Sequence, residues 1–156
     1  MDHVELKPYP FPQGVTIPRL MPYQEFPWNG DGYLAAEVLR LKEAHGLTNA
    51  LETGTCLGST TLWLAENFDH VQTCEVSQQY FDIACARFMM HDTVHAIADA
   101  TDKFWDHIVA RKRPSKIVTW NVADRVNFIF LDAHWGDHCP LLDELDAIAN
   151  PEHGRN

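Results

Sequence analysis

The sequence predicts an α/β protein built on a mainly parallel sheet. An apolar run at 49–52 ends in an acidic residue and breaks into a glycine-spaced turn, and helical spacing follows at 61–68. A second apolar run at 70–75 and a third at 126–132 also end in a carboxylate. Parallel strands need helical crossovers of this kind, and their carboxyl ends meet at one edge of the sheet, where open α/β folds bind ligands.

The other elements are predicted from apolar spacing and from the residues that end helices. The first helix is expected at 31–45, with Gly46 as its stop signal. Ser77 is suited to cap a helix that extends to about residue 88, a strand is expected at 93–98, and a last helix at 140–149.

The segment 103–127 contains a candidate helix and a candidate strand. The apolar residues of 104–109 suit a helix, and the following Arg-Lys-Arg-Pro run should end it. Residues 116–120 look like a strand that could form an antiparallel hairpin with 126–132.

Residues 1–29 are expected to form an N-terminal arm, separate from a domain at 30–156. Six of the nine prolines lie in this arm, so it should be extended rather than helical. Large apolar side chains such as Trp28 make it too apolar for a free tail. The arm either packs over the domain surface or serves as a flap over a substrate or as a subunit contact.

Composition excludes several classes of partner. The chain has 156 residues, enough for one domain, and its 46% hydrophobic content is sufficient for a core. The formal charge of −10 argues against a nucleic-acid partner. No apolar run approaches the length of a bilayer span, and no targeting segment stands at the N-terminus, so we expect a soluble, cytoplasmic protein without a membrane partner.

Taken in order, these motifs resemble the class I S-adenosylmethionine-dependent methyltransferases, and more closely their small-molecule O-methyltransferase branch. Segment 52–60 is similar to the family's first motif, Glu75 to its ribose-binding acid and 97–100 to its adenine-side segment. Segment 128–135 is similar to its fourth strand and catalytic-edge acid. The resemblance covers roughly residues 30 to 150. It implies a Rossmann-like three-layer αβα sandwich with strand order 3-2-1-4, in which the family's later strands are missing.

The resemblance also implies roles for individual residues in methyl transfer to a small-molecule hydroxyl. S-adenosylmethionine would be held by Glu52, Gly54, Thr55, Gly58, Ser59, Thr60, Glu75, Asp99 and Ala100. Asp132 would face the acceptor and could serve as a ligand of Mg²⁺, which would lower the pKa of the acceptor hydroxyl, and His134 would be the base. Plainer roles stay open: Glu52 would brace the turn, Asp99 would cap a helix, and His134 would fill space beside its strand.

Two other functions stay open at this point. The chain could bind S-adenosylmethionine or a related nucleoside without transferring a methyl group, or the segment 132–138 could be the site of a metal-dependent hydrolase. In the order 3-2-1-4 the apolar strand 128–131 would be an open sheet edge, which proteins normally cover. We therefore expect a homo-oligomer, or the strand at 116–120, to cover this edge.

Overall fold

The structure, a computed structural model, describes residues 2–17, 22–75, 77–91, 95–99, 106–111, 127–132 and 141–149. The strands are β1 Asn49–Thr53, β2 His70–Glu75, β3 His95–Asp99, β4 Asp106–Arg111 and β5 Asn127–Leu131. The α-helices are α1 Gly32–His45, α2 Ser59–Asn67, α3 Gln78–Phe88 and α4 Leu141–Ala149. Two 3-10 turns, Pro22–Glu25 and Pro27–Gly30, precede α1.

The centre of the sheet is a parallel unit in the order β2-β1-β5. Asn49 is paired with His70 on one side and with Asn127 on the other, so the three strands start at one level. Helix α2 makes the crossover between β1 and β2. The predicted α/β class and parallel pairing are confirmed, and this unit is compatible with a Rossmann-like fold.

Strand β4 corrects the sequence-based prediction. Residues 104–109 were expected in a helix, but 106–111 form a strand that pairs antiparallel with both β2 and β3. The sheet order is β3-β4-β2-β1-β5. The predicted strands 1 to 4 correspond to β1, β2, β3 and β5 and keep their relative order, but β4 lies between β3 and β2, so the predicted adjacency of strands 3 and 2 is wrong. A short apolar run with β-branched Ile108 and Val109 fits either element by periodicity, and pairing on two sides decides for the strand. The predicted strand 116–120 lies outside the described residues.

Helices α1 and α3 begin and end where the sequence indicates. The carboxylate of Asp31 accepts hydrogen bonds from the backbone N–H groups of Tyr33 and Leu34, both at 3.0 Å. Gly46 ends α1 in the left-handed conformation, with φ 61°. Ser77 caps the start of α3. Because these side chains satisfy backbone groups left unpaired at helix ends, they fix the helix limits.

The arm contributes to the core of the domain. Tyr9 and Trp28 are buried, with 2% and 5% of their surfaces exposed. The Trp28 ring packs edge-on against Trp63 and Phe130, with centroids 5.3 and 4.9 Å apart. Trp28 and Asn29 have left-handed φ angles of 54° and 51°, a strained turn that the packing of the indole holds in place.

Strand β5 is the outermost strand at its side of the described sheet. Its covering by another subunit or by 116–120 stays a prediction. None of the helices in the described ranges is both long and apolar enough to span a bilayer.

Candidate functional site

Three acidic residues lie at the carboxyl ends of the parallel strands. Glu52 is the last residue but one of β1, Glu75 ends β2, and Asp132 directly follows β5. The backbone N–H of Asp132 donates to the carbonyl and hydroxyl oxygens of Thr53, both at 3.2 Å, which ties the end of β5 to that of β1. Glu52 and Glu75 are buried, whereas Asp132 is exposed. The sequence correctly placed all three at one edge.

The turn 54–58 connects this edge to α2 through residues in the left-handed region. Gly54 and Gly58 both have φ 80°, and Cys56 has φ 50°. A Cβ atom on Gly58 would lie 2.8 Å from the Phe88 ring, so no side chain fits there. The N–H groups of Gly54 and Thr55 both donate to the carbonyl of Cys74 at 3.0 Å. The two predicted glycines are therefore required by backbone conformation, and Gly58 also by packing.

Glu52 is held by hydroxyl groups inside the domain. Its Oε2 accepts hydrogen bonds from Thr61 and, at 2.8 Å, from Thr73, whose hydroxyl lies 2.6 Å from that of Thr55. Burial raises the pKa of Glu52 to about 7, and the nearby Asp132 carboxylate adds to this effect, while the two hydroxyl hydrogen bonds oppose it. These contacts match the alternative in which Glu52 braces the turn.

Glu75 joins the turn to the start of α3. One carboxylate oxygen accepts from the backbone N–H of Cys56 at 2.7 Å and the other from that of Ser77 at 2.8 Å. Each carboxylate oxygen can accept two hydrogen bonds, so each keeps capacity for a ligand hydroxyl. Glu75 is thus compatible with both roles, support of the turn and recognition of a diol.

The hydroxyls of Ser59 and Thr60 contact the arm. Ser59 Oγ donates to the carbonyl of Gln24 at 2.5 Å, and Thr60 Oγ1 accepts from the backbone N–H of Trp28 at 3.0 Å. These are two of the hydroxyls that the resemblance assigns to the binding of S-adenosylmethionine. A ligand that used them in this way would exchange places with the arm.

The end of β3 is separated from this group by β4. Asp99 and Cys74 are both paired with His107, so Asp99 lies near the level of Glu75 but two strand spacings away, about 10 Å. Asp106, at the start of β4, is paired with Glu75 and adds an acidic residue at the same edge. The sequence missed it because this segment was assigned to a helix. Ala100 and His134 lie outside the described residues.

Other residues of the site were not singled out from the sequence. Thr61 and Thr73 bind Glu52 across the fold, and no local pattern identifies such long-range partners. Arg87 left a detectable signal, because it is a charged residue three and four positions after Ala84 and Ile83, on the apolar face of α3. Its guanidinium donates a hydrogen bond to the carbonyl of Leu57 in the turn.

The predicted metal site has no support among the described residues. In these ranges no three acidic, histidine or cysteine side chains are grouped so as to hold a metal ion. Asp132, the predicted ligand, is exposed, and the other candidates of 133–138 lie outside the described residues. The Mg²⁺ assignment stays a prediction.

Comparisons of the chain with protein-family models, with curated proteins and with solved structures found no match. Function is therefore inferred from the geometry of this site and from the motifs of the sequence.

Proposed function

We propose that the protein binds S-adenosylmethionine at the carboxyl edge of its parallel strands and transfers the methyl group to a hydroxyl of a small molecule. The observation that supports this most is the position of Glu75, Glu52 and Asp132 at the ends of three adjacent parallel strands, around the turn 54–58. Ligand sites of open α/β sheets lie at this edge.

The charges of the site suit this donor. S-adenosylmethionine carries a sulfonium and an ammonium group, and carboxylates near them would offset both positive charges. Glu75 would accept hydrogen bonds from the ribose hydroxyls, and Gly54, which has no side chain, would let the ligand approach the turn closely. Methyl transfer then requires alignment of donor and acceptor, exclusion of water and a base that takes the hydroxyl proton as S-adenosylhomocysteine leaves, with Asp132 on the acceptor side.

The finer architecture of this proposal is a three-layer αβα sandwich with Asp99 and Ala100 beside the adenine. Strand β4 counts against the assignment of Asp99 to the adenine, for S-adenosylmethionine and for any other adenine nucleoside alike. Because β4 separates Asp99 from Glu75, an adenine held near Asp99 would lie farther from the ribose acid than adjacent strands allow.

Calorimetric titration tests the binding step. We expect saturable binding of S-adenosylmethionine and S-adenosylhomocysteine to the wild-type chain. Glu75→Gln should weaken it at least about tenfold, because an amide nitrogen cannot accept a hydrogen bond. Glu37→Gln is the matched control, since Glu37 lies on α1 and pairs there with Arg40. Absence of binding to a folded wild-type chain would end the proposal.

A second titration separates ribose recognition from support of the turn. Adenosine should bind the wild-type chain more tightly than 2′,3′-dideoxyadenosine, and this preference should disappear in Glu75→Gln. An equal loss for both nucleosides would assign Glu75 to the turn alone. Release of S-adenosylhomocysteine in the presence of hydroxyl-bearing small molecules then distinguishes a transferase from a binding domain.

A further inference from the structure

Arg87 contacts three separate parts of the chain from inside the core. It is fully buried in α3, and its Nη1 donates to the carbonyl of Leu57 in the turn and, at 3.0 Å, to Ser59 Oγ at the start of α2. Its Nη2 donates to the carbonyl of Tyr9 in the arm. The centroid of the Phe11 ring, also in the arm, lies 4.0 Å from Cζ of Arg87.

The guanidinium depends on all of these partners. Burial lowers the pKa of Arg87 to about 10, so the group is still charged at neutral pH. No carboxylate forms an ion pair with it within the described part of the chain, and Nε has no hydrogen-bond partner there. A buried charge is costly unless hydrogen bonds replace its hydration. Loss of the Tyr9 carbonyl would leave it with still fewer acceptors.

The guanidinium of Arg87 therefore connects the turn to the arm. The residue after Arg87 reinforces this position, because the Phe88 ring fills the space that a side chain on Gly58 would need. The arm also contacts Ser59 and Thr60, at the start of α2, through Gln24 and Trp28. Withdrawal of the arm would remove partners from Arg87 and from the start of α2 together.

We propose that Arg87 is a positioning residue that couples the N-terminal arm to the turn 54–58, so that the two segments open and close together. The coupling itself follows from the contacts of Arg87. Its use, to release Ser59 and Thr60 when a ligand enters, rests on the proposed function.

Amide hydrogen exchange of the full chain, followed by mass spectrometry, tests the coupling. The turn supplies its own reporters, because its N–H groups at Gly54, Thr55, Cys56 and Gly58 are all hydrogen-bonded. Phe11→Ala removes only an arm side chain that contacts Arg87. We expect exchange to become about tenfold faster in the arm and in the turn alike.

The double variant gives the readout that a purely structural role would not produce. In an Arg87→Met background, Phe11→Ala should not accelerate the turn any further, because the link is already absent. Arg40→Met is the control, since Arg40 is exposed and pairs with Glu37 on α1, and it should leave both segments unchanged.

Faster exchange in the arm alone after Phe11→Ala, or additive effects of the two substitutions on the turn, would overturn the coupling. If Arg87→Met does not fold, the comparison of Phe11→Ala with Phe11→Leu still tests the coupling, because leucine keeps an apolar side chain at the position that contacts the Arg87 guanidinium. Addition of S-adenosylhomocysteine to the wild-type chain is a separate measurement. Coupled exchange that this ligand does not change would contradict the proposed function and leave the role of Arg87 intact.

Discussion

Raising the pH from 5 to 8 should weaken the fold, because Glu52 must lose its proton inside the core. The pKa of this carboxyl is about 7, against 4.5 for an unperturbed glutamate. Between these values the folded state holds a proton that the unfolded state has released, so stability falls as the pH rises. Each pH unit in this window is worth about 1.4 kcal/mol, which gives a loss of about 3 kcal/mol in all.

The Glu52→Gln variant isolates this effect. Its amide oxygen can still accept hydrogen bonds from Thr61 and Thr73, but it does not titrate. Near pH 5 the variant and the wild type should unfold at similar urea concentrations, since Glu52 is then neutral. By pH 8 the variant should be more stable by about 3 kcal/mol, with most of the change between pH 5 and pH 7.

Urea denaturation at half-unit pH steps measures this difference, and other titrating groups cancel when the two proteins are compared. Glu37→Gln is the control. The pKa of Glu37 is lowered by its hydrogen bond to Arg40, so its titration lies below this pH range and the curve of the variant should run parallel to that of the wild type. Parallel curves for Glu52→Gln as well would refute the assignment of a raised pKa to Glu52.

Two further predictions concern backbone positions. Gly58→Ala should destabilise the fold by about 2–4 kcal/mol, because it adds left-handed strain to a clash with Phe88. Gly46→Ala, in open space at φ 61°, should destabilise it by only about 1–2 kcal/mol. Urea denaturation compares the two variants, and equal losses of stability would contradict a clash at Gly58. Asp31→Ala should destabilise the fold by about 1 kcal/mol through loss of the α1 cap, whereas Asp31→Asn should keep most of this stability. Thermal unfolding compares the two variants, and equal midpoints would contradict the capping role of Asp31.

The sequence predicted those parts of the fold that depend on local chemistry. Asp31, Gly46 and Ser77 mark helix ends because each acts on backbone groups a few residues away. The glycine-spaced turn was predictable for the same reason, since Gly54 and Gly58 adopt conformations that other residues avoid.

Features that depend on distant partners were not predictable. The spacing of 104–109 fits a helix or a strand, and the strand at 106–111 forms because it pairs with both β2 and β3. The apolar arm was expected to pack on the domain or to act as a flap or contact, but its contact with Arg87 joins residues that no local pattern connects. The site was predicted to the same extent: its three strand-end acids follow from parallel pairing, whereas the hydroxyls around Glu52 do not.

The mixed sheet also has a consequence for the order of folding. Strands β3 and β4 are close in the chain, so their pairing closes a short loop, whereas pairing of Asn49 with Asn127 closes a long one. Loop-closure entropy grows with the length of chain enclosed, and local contacts form faster than distant ones. A two-stranded hairpin is only marginally stable alone, so β3 and β4 gain persistence by docking on β2. Of the strand pairs in this sheet, β1 with β5 therefore has the highest entropic cost of formation.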